Sequence, residues 1–129
     1  MMTSFYASLI SIWLIILSTR VIALRGNPIF KFFKFEKDDE NSTERAIRGH
    51  SNLIEYSPIF LILLYLAEIS SFNIIYMHCL GSAFFLGRLM HGFCFAFLKS
   101  NMFLRVGGTA ITLGTLGIIS THLLVNYIF

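Results

Sequence analysis

Charged side chains are scarce in this sequence of 129 residues. Asp, Glu, Lys and Arg make up 13% of it, hydrophobic residues make up 56%, and the mean hydropathy is +0.73. Soluble globular domains carry about 25% charged residues. The shortage therefore excludes an ordinary soluble domain and indicates a membrane protein. The length fits a single domain over residues 1–129.

The features of metal, redox and nucleic-acid proteins are also missing. The only cysteines, Cys79 and Cys94, lie on one predicted helix, roughly 22 Å apart at a rise of about 1.5 Å per residue. They cannot form a disulfide within the chain, so we expect them to be packing residues. No metal-ligand spacing is present, and we expect no metal. The net charge of +3 comes with no basic face of interleaved aromatics, which argues against a nucleic-acid partner.

Long apolar stretches dominate what is present. Each is close to the roughly 20 residues that a helix needs to cross a bilayer. The first has neither a basic segment before it nor a small-residue cleavage site, so we interpret it as a retained span rather than a signal peptide. We predict an all-α membrane protein, a four-transmembrane-helix up-down bundle. Its spans are predicted at residues 5–24, 52–69, 74–98 and 109–129.

The connections between these spans differ in length. Residues 68–73 form a short connection, so the second and third helices are expected to be antiparallel neighbours. Residues 26–43 form a long polar loop. We expect residues 37–42 to be mobile and Ser42 or Thr43 to cap the second helix.

Basic residues are confined to one side of the predicted bundle. The N-terminus, the connection between helices 2 and 3, and the C-terminus contain no Lys or Arg. The positive-inside rule therefore places both termini outside the cytoplasm and the other two loops in it. The basic residues on that side are Arg25, Lys31, Lys34, Lys37, Arg45, Arg48, Lys99 and Arg105.

A polar stripe precedes the second span. Arg45, Arg48, Asn52 and Glu55 follow each other at helical spacings, so they share one helix face. Two cations, an amide and a carboxylate could line a site for a small zwitterionic ligand. The alternative is an interfacial stripe that anchors the helix by snorkelling.

Arg88 lies well inside the third span, where a charged side chain is energetically unfavourable. Glu55 is the only acid expected at a similar depth, so we predict that the two form an ion pair between helices 2 and 3. The pair could be purely structural or could shape a pocket beside it.

Two further patterns leave alternatives open. Helix 4 has a stripe of small residues, which would allow close helix approach within the bundle or between subunits. Its members are Gly107, Ala110, Gly114 and Gly117. His78 and His122 could ligate haem across helices 3 and 4, but no acid or arginine nearby would hold its carboxylates, so we interpret them as interfacial or core histidines.

The combined motifs resemble those of the MAPEG family, the membrane-associated proteins in eicosanoid and glutathione metabolism. The pattern Arg-x-x-Arg-x-His-x-Asn-x-x-Glu-Tyr-x-Pro spans residues 45–58, and Gly-Arg-Leu-x-His spans residues 87–91. Arg105 then precedes a glycine-rich last helix. The resemblance covers nearly the whole chain, and the motif sequences are most similar to those of the small bacterial members.

The resemblance implies a homotrimer that binds glutathione near the cytoplasmic face and takes a hydrophobic small-molecule substrate from the lipid bilayer. It implies a bacterial inner-membrane location. Arg105 would stabilise the glutathione thiolate as the catalytic residue. The implied glutathione-binding residues are Arg25, Arg48, Asn52, Glu55, Tyr56 and His91, and we add Arg88 to the site as the predicted partner of Glu55. The chain departs from better-known members at Ser51, Phe95 and Val106, which stand where an arginine, a tyrosine and a serine are found.

Different functions therefore remain open. The first is a glutathione-dependent transferase or peroxidase that acts on hydrophobic electrophiles or lipid hydroperoxides. The second is a non-catalytic bundle that binds a lipid or a partner helix. A small transporter is a third, because charged residues within a membrane can mark an ion path.

Overall fold

The computed structural model describes residues 1–129 and contains four long helices. They are α1 (Met2–Leu24), α2 (Ser42–Ile69), α3 (Ile74–Phe97) and α4 (Met102–Ile128), with a single 3₁₀ turn at Lys31–Phe33. All four helices are long and apolar enough to cross a membrane. The predicted four-helix membrane bundle is therefore confirmed, and α2 and α4 begin earlier than the predicted spans.

The four helices pack as an up-down bundle. Both α2 and α3 contact the other three helices, whereas α1 and α4 do not contact each other. We call the end with the 25–41 loop and the 98–101 connection the loop end. The end with both chain termini and the 70–73 connection is the terminal end.

Glu68 fastens the start of α1 at the terminal end. Its carboxylate accepts hydrogen bonds from the backbone N–H of Met2 (2.6 Å) and Thr3 (3.0 Å), and from the Thr3 hydroxyl (2.7 Å). The first backbone N–H groups of a helix lack intrahelical acceptors, and a negative charge there also suits the helix dipole. Glu68 therefore supplies a cap from the last turn of α2.

Arg20 fastens the long loop at the loop end. It is only 1% exposed and donates to both carboxylate oxygens of Asp38, to the Ala96 carbonyl oxygen (2.8 Å) and to the Phe33 carbonyl oxygen. Its guanidinium also lies 4.9 Å from the centroid of the Phe35 ring. The sequence did not indicate a role for Arg20, because its partner Asp38 lies in the segment that was expected to be mobile.

The start of α2 also differs from expectation. Asn41 is the N-cap residue, and no side chain caps the helix. The prediction of a Ser42 or Thr43 cap was wrong, because the Ser42 hydroxyl instead accepts from the Asp39 backbone N–H (2.9 Å) and from Arg45 (3.0 Å). Asp39 and Arg45 form an ion pair at 3.0 Å. These contacts tie down the segment that was expected to be mobile.

The α3 and α4 helices approach each other closely near the loop end. A Cβ atom on Gly108 would lie 2.7 Å from the Gly87 carbonyl oxygen and 2.9 Å from the His91 backbone nitrogen. Contacts that short do not occur in real proteins, so only glycine fits at this crossing. The crossing sets the start of α4, and with it Arg105, beside His91.

The small-residue stripe on α4 mostly faces away from the bundle. No atom lies within 4 Å of a Cβ atom built on Gly114 or Gly117, and Ala110 is exposed. Only Gly107 meets another helix, through Met90. Both cysteines are free, as predicted, but only Cys94 is a packing residue, since Cys79 is exposed.

Candidate functional site

A polar pocket of about 390 Å³ opens at the loop end between α2, α3 and α4. Most of its wall is polar or charged, which is unusual for a chain with so few charged residues. It brings together five of the site residues expected from the sequence. Its lining residues are Ile47, Arg48, Ser51, Asn52, Glu55, His91, Phe95 and Arg105.

The α2 helix supplies one wall through its polar stripe. Arg48, Asn52 and Glu55 all line the pocket, as expected from their spacing. Arg48 pairs with Glu44 at 2.6 Å, and both side chains are about two-thirds exposed. An exposed pair of this kind contributes little stability, so Arg48 is available to a ligand.

The α3 and α4 helices supply the opposite wall. His91 is buried and stacks on Phe95, with the ring centroids 4.7 Å apart. Its Nδ1 atom is buried and has no hydrogen-bond partner. Arg105 is exposed on α4 and forms no salt bridge. The pocket therefore contains a guanidinium without a carboxylate partner.

Arg88 lies behind the pocket wall rather than in it. It is 2% exposed and donates to Asn52 Oδ1, to Thr112 Oγ1 (2.8 Å) and to the Gly108 carbonyl oxygen (3.5 Å). A guanidinium has only donors, so it fixes the Asn52 carbonyl oxygen toward itself. The Asn52 amide group is left as a donor for the pocket.

The predicted ion pair between Glu55 and Arg88 was wrong. None of the three salt bridges in the structure contains either residue. The oxygens of Asn52, Thr112 and Gly108 satisfy Arg88, and Glu55 is exposed on the pocket side of α2. Thr112 was not among the expected site residues, although a hydroxyl residue one turn after Gly108 was a usable signal.

Two other expected site residues do not line the pocket. The Tyr56 ring lies beneath the Arg88 guanidinium, 5.2 Å from its centroid, and so supports a buried cation. Arg25 is exposed at the end of α1, which does not contact α4. Within one chain the structure does not bring Arg25 to this pocket.

The histidines outside the pocket occupy separate settings. The Tyr6 hydroxyl lies 3.1 Å from Nδ1 of His78, whereas His122 packs against Phe72, with ring centroids 4.4 Å apart. His50 lies 3.0 Å from the Ser18 hydroxyl through its Nε2 atom. His78 and His50 therefore both contact α1, whereas His122 packs against the 70–73 connection.

The charge of the pocket favours an anionic or zwitterionic ligand. Arg48 and Arg105 line it, Arg88 adds a buried positive charge behind it, and Glu55 is the one carboxylate in the wall. Charges that face a partly enclosed cavity act more strongly than they would in water. A small molecule with carboxylates and an ammonium group matches this distribution.

Comparison with known proteins decides the family. The MAPEG family model matches residues 3–125. The chain belongs to the MAPEG family. No curated protein and no solved structure gives a significant match. Family membership and the four apolar helices make the chain an integral, multi-pass membrane protein of a family in glutathione and eicosanoid metabolism.

Proposed function

We propose that this MAPEG protein is a glutathione-dependent membrane transferase or peroxidase. Its substrates would be hydrophobic electrophiles or lipid hydroperoxides that arrive from the bilayer. The observation that carries the proposal is the pocket that joins Arg48, Asn52 and Glu55 of α2 to Arg105 of α4.

The lining matches the functional groups of glutathione. Arginines bind carboxylates through paired hydrogen bonds, so Arg48 suits one of the two glutathione carboxylates. Glu55 suits the ammonium group. Asn52, oriented by Arg88, offers amide donors to a carbonyl or carboxylate oxygen.

Arg105 has the properties required to activate the thiol. A free cysteine thiol has a pKa of about 8.5, and a nearby cation lowers it by stabilising the thiolate. Arg105 has no carboxylate partner in the structure, so its charge is not neutralised within the chain. The thiol proton would leave to water, and the thiolate would remain beside the guanidinium.

The thiolate then has two possible reactions. With an electrophilic carbon, its sulfur forms the new S–C bond while the leaving group departs with its electron pair. With a hydroperoxide, its sulfur attacks the O–O bond, which gives a sulfenic acid and an alkoxide that takes a proton from water. A second glutathione then reduces the sulfenic acid to form the disulfide and water.

An oligomer would complete the site. MAPEG proteins are generally oligomeric, and we propose a homotrimer in which Arg25 of one subunit reaches the pocket of its neighbour. The proposal accounts for an exposed Arg25 and for a small-residue stripe on α4 that faces away from its own bundle. We further propose that the loop end faces the cytoplasm of a bacterial inner membrane, with both termini outside.

A non-catalytic MAPEG-fold protein that binds a lipid or a partner helix is the second candidate. The observation in its favour is Phe95, which stacks on His91 in the pocket wall and offers no hydroxyl group. A tyrosine at this position would offer a hydroxyl donor to the ligand, so phenylalanine there would weaken ligand binding. The two candidates differ in whether glutathione binds and becomes ionised.

Calorimetry with the detergent-purified protein tests the proposal. We expect glutathione to bind, and we expect Glu55→Gln to weaken binding about tenfold, the value of a lost interaction of about 1.4 kcal/mol. Glu40→Gln is the matched control, because it makes the same charge change at the same end and Glu40 is exposed outside the pocket. Absence of binding at millimolar glutathione would overturn the proposal and favour the non-catalytic candidate.

A further inference from the structure

We propose that a second, smaller cavity at the loop end binds a phosphate group. The cavity has a volume of about 160 Å³ and lies between the starts of α2 and α4 and the end of α3. It adjoins the polar pocket, with which it shares Arg48, Phe95 and Arg105. Its own residues are Arg45, Cys94, Lys99, Ser100 and Asn101.

The lining is basic and contains no carboxylate. Arg45, Arg48, Lys99 and Arg105 all belong to it, and no Asp or Glu does. Arg45 and Arg48 have carboxylate partners outside the lining, whereas Lys99 and Arg105 form no salt bridge. Two of the four cations therefore keep an unneutralised charge at the cavity, and an anion placed between them is stabilised.

Arg45 is held in place and still lacks one acceptor. Its side chain is fixed by Asp39 (3.0 Å) and by the Ser42 hydroxyl (3.0 Å). Its Nε atom is buried and has no hydrogen-bond partner. Asp39 and Ser42 therefore hold the Arg45 side chain at the wall of the cavity.

The start of α4 adds further donors beside these cations. Asn101 caps the helix by accepting from the Leu104 backbone N–H at 3.0 Å. The backbone N–H groups of Met102 and Phe103 have no acceptor within the helix, as is general for a first turn. The Cys94 thiol donates to the Asn101 carbonyl oxygen at 3.3 Å and so ties this end of α4 to α3. The Ser100 hydroxyl completes the set.

These donors suit phosphate better than a single carboxylate. Phosphate presents several strongly accepting oxygens and up to two negative charges, which matches guanidinium, ammonium and helix N-terminal donors together. The cavity is several times the roughly 30 Å³ that one water occupies, so a phosphate group fits. Because the cavity lies at the ends of membrane helices, the group could belong to a phospholipid or to a free phosphate.

The test uses calorimetry on the full-length protein in a phosphate-free detergent. One arm titrates inorganic phosphate and the other titrates short-chain phosphatidic acid. We expect binding in at least one arm and a loss of tenfold or more in Lys99→Gln, with a larger loss in Lys99→Glu. Lys31→Gln makes the same charge change outside the cavity and should bind as the unsubstituted chain does.

Each outcome either identifies the source of the phosphate group or overturns the proposal. Binding of inorganic phosphate indicates a free-phosphate site, and binding of phosphatidic acid alone indicates a lipid headgroup site. No binding in either arm would overturn the proposal, as would equal losses in Lys99→Gln and Lys31→Gln. Glutathione affinity is measured on the same variants. If Lys99→Gln weakens glutathione as much as phosphate, the cavity is part of the glutathione pocket and the proposal fails.

Discussion

Two arginines are almost completely buried in this bundle, and they are stabilised in opposite ways. Arg20 is bound by both carboxylate oxygens of Asp38, whereas Arg88 is bound only by neutral oxygens and the Tyr56 ring. The field of a buried ion pair largely cancels at a distance, whereas the field of a buried cation without an anion does not. We infer that Arg20 secures the loop to the bundle, while Arg88 orients Asn52 and adds positive potential behind the pocket.

Removal of Asp38, the partner of Arg20, should have the largest effect on the free energy of unfolding. Asp38→Ala leaves a buried guanidinium without its carboxylate and should lower the free energy of unfolding by about 3 kcal/mol. Unfolding in detergent measures this change. Glutathione affinity of the folded protein should stay unchanged, because neither Arg20 nor Asp38 lines the pocket. A variant of unchanged stability would contradict the structural role of Arg20.

The α3–α4 crossing contains Thr112 and Gly108, two of the hydrogen-bond partners of Arg88. Disturbing the crossing should have the second largest effect on stability. Gly108→Ala forces the helices apart and should cost about 2 kcal/mol, as overpacked cores do. It should also weaken glutathione binding through displacement of Arg105. Gly114→Ala is the matched control, because its new methyl group meets no atom of the same chain. Equal effects of the two changes on stability would refute the crossing as the cause.

Arg88 itself should affect binding more than stability. Arg88→Met removes a buried charge that has only neutral partners, so it leaves no unpaired buried charge behind and should cost less than Asp38→Ala. It frees the Asn52 amide, so we expect glutathione affinity to fall about tenfold, equivalent to about 1.4 kcal/mol. Calorimetry and thermal unfolding separate the two effects. If Arg88→Met lowered the free energy of unfolding as much as Asp38→Ala, the two arginines would have the same structural role and the contrast between them would fail.

Acid should weaken the contact between Arg20 and Asp38 but not the contacts of Arg88, whose partners are neutral oxygens. Hydrogen bonds from Arg20 hold the pKa of Asp38 below its usual value of 3.8. A lowered folded-state pKa gives stability that is present above the unfolded-state pKa and is lost as the pH falls through the folded-state value. Unfolding measured from pH 6 down to about pH 3 should show this loss below about pH 4. In Asp38→Asn this part of the pH dependence should disappear.

The helices and the α2 stripe were predictable from the sequence because both follow from local spacing. Apolar stretches predicted four helices, and helical spacing placed Arg48, Asn52 and Glu55 on one face. The partners of buried charges were not predictable in this way. Arg88 was expected to pair with the acid at its depth, but a guanidinium is satisfied by any convergent oxygens, and the crossing at Gly108 brought Thr112 within reach.

The contact between Arg20 and Asp38 was not predictable from the sequence for the same reason. Asp38 lies in a run of charged residues whose composition is typical of a mobile loop. Its fixed position depends on Arg20 and on the aromatic rings of Phe35 and Phe97 around the guanidinium, which come together only in three dimensions. The 3₁₀ turn at Lys31–Phe33 carries the carbonyl oxygen that Arg20 also binds.

The most direct test of the account is the ultraviolet absorbance of the thiolate of bound glutathione, followed against pH. We predict that the unsubstituted protein and the Lys31→Gln control hold glutathione as a thiolate near neutral pH. Arg105→Ala should keep bound glutathione but raise the pKa of its thiol toward the free value of about 8.5. Identical titration curves for the unsubstituted protein and Arg105→Ala would contradict the assignment of Arg105 as the residue that stabilises the thiolate.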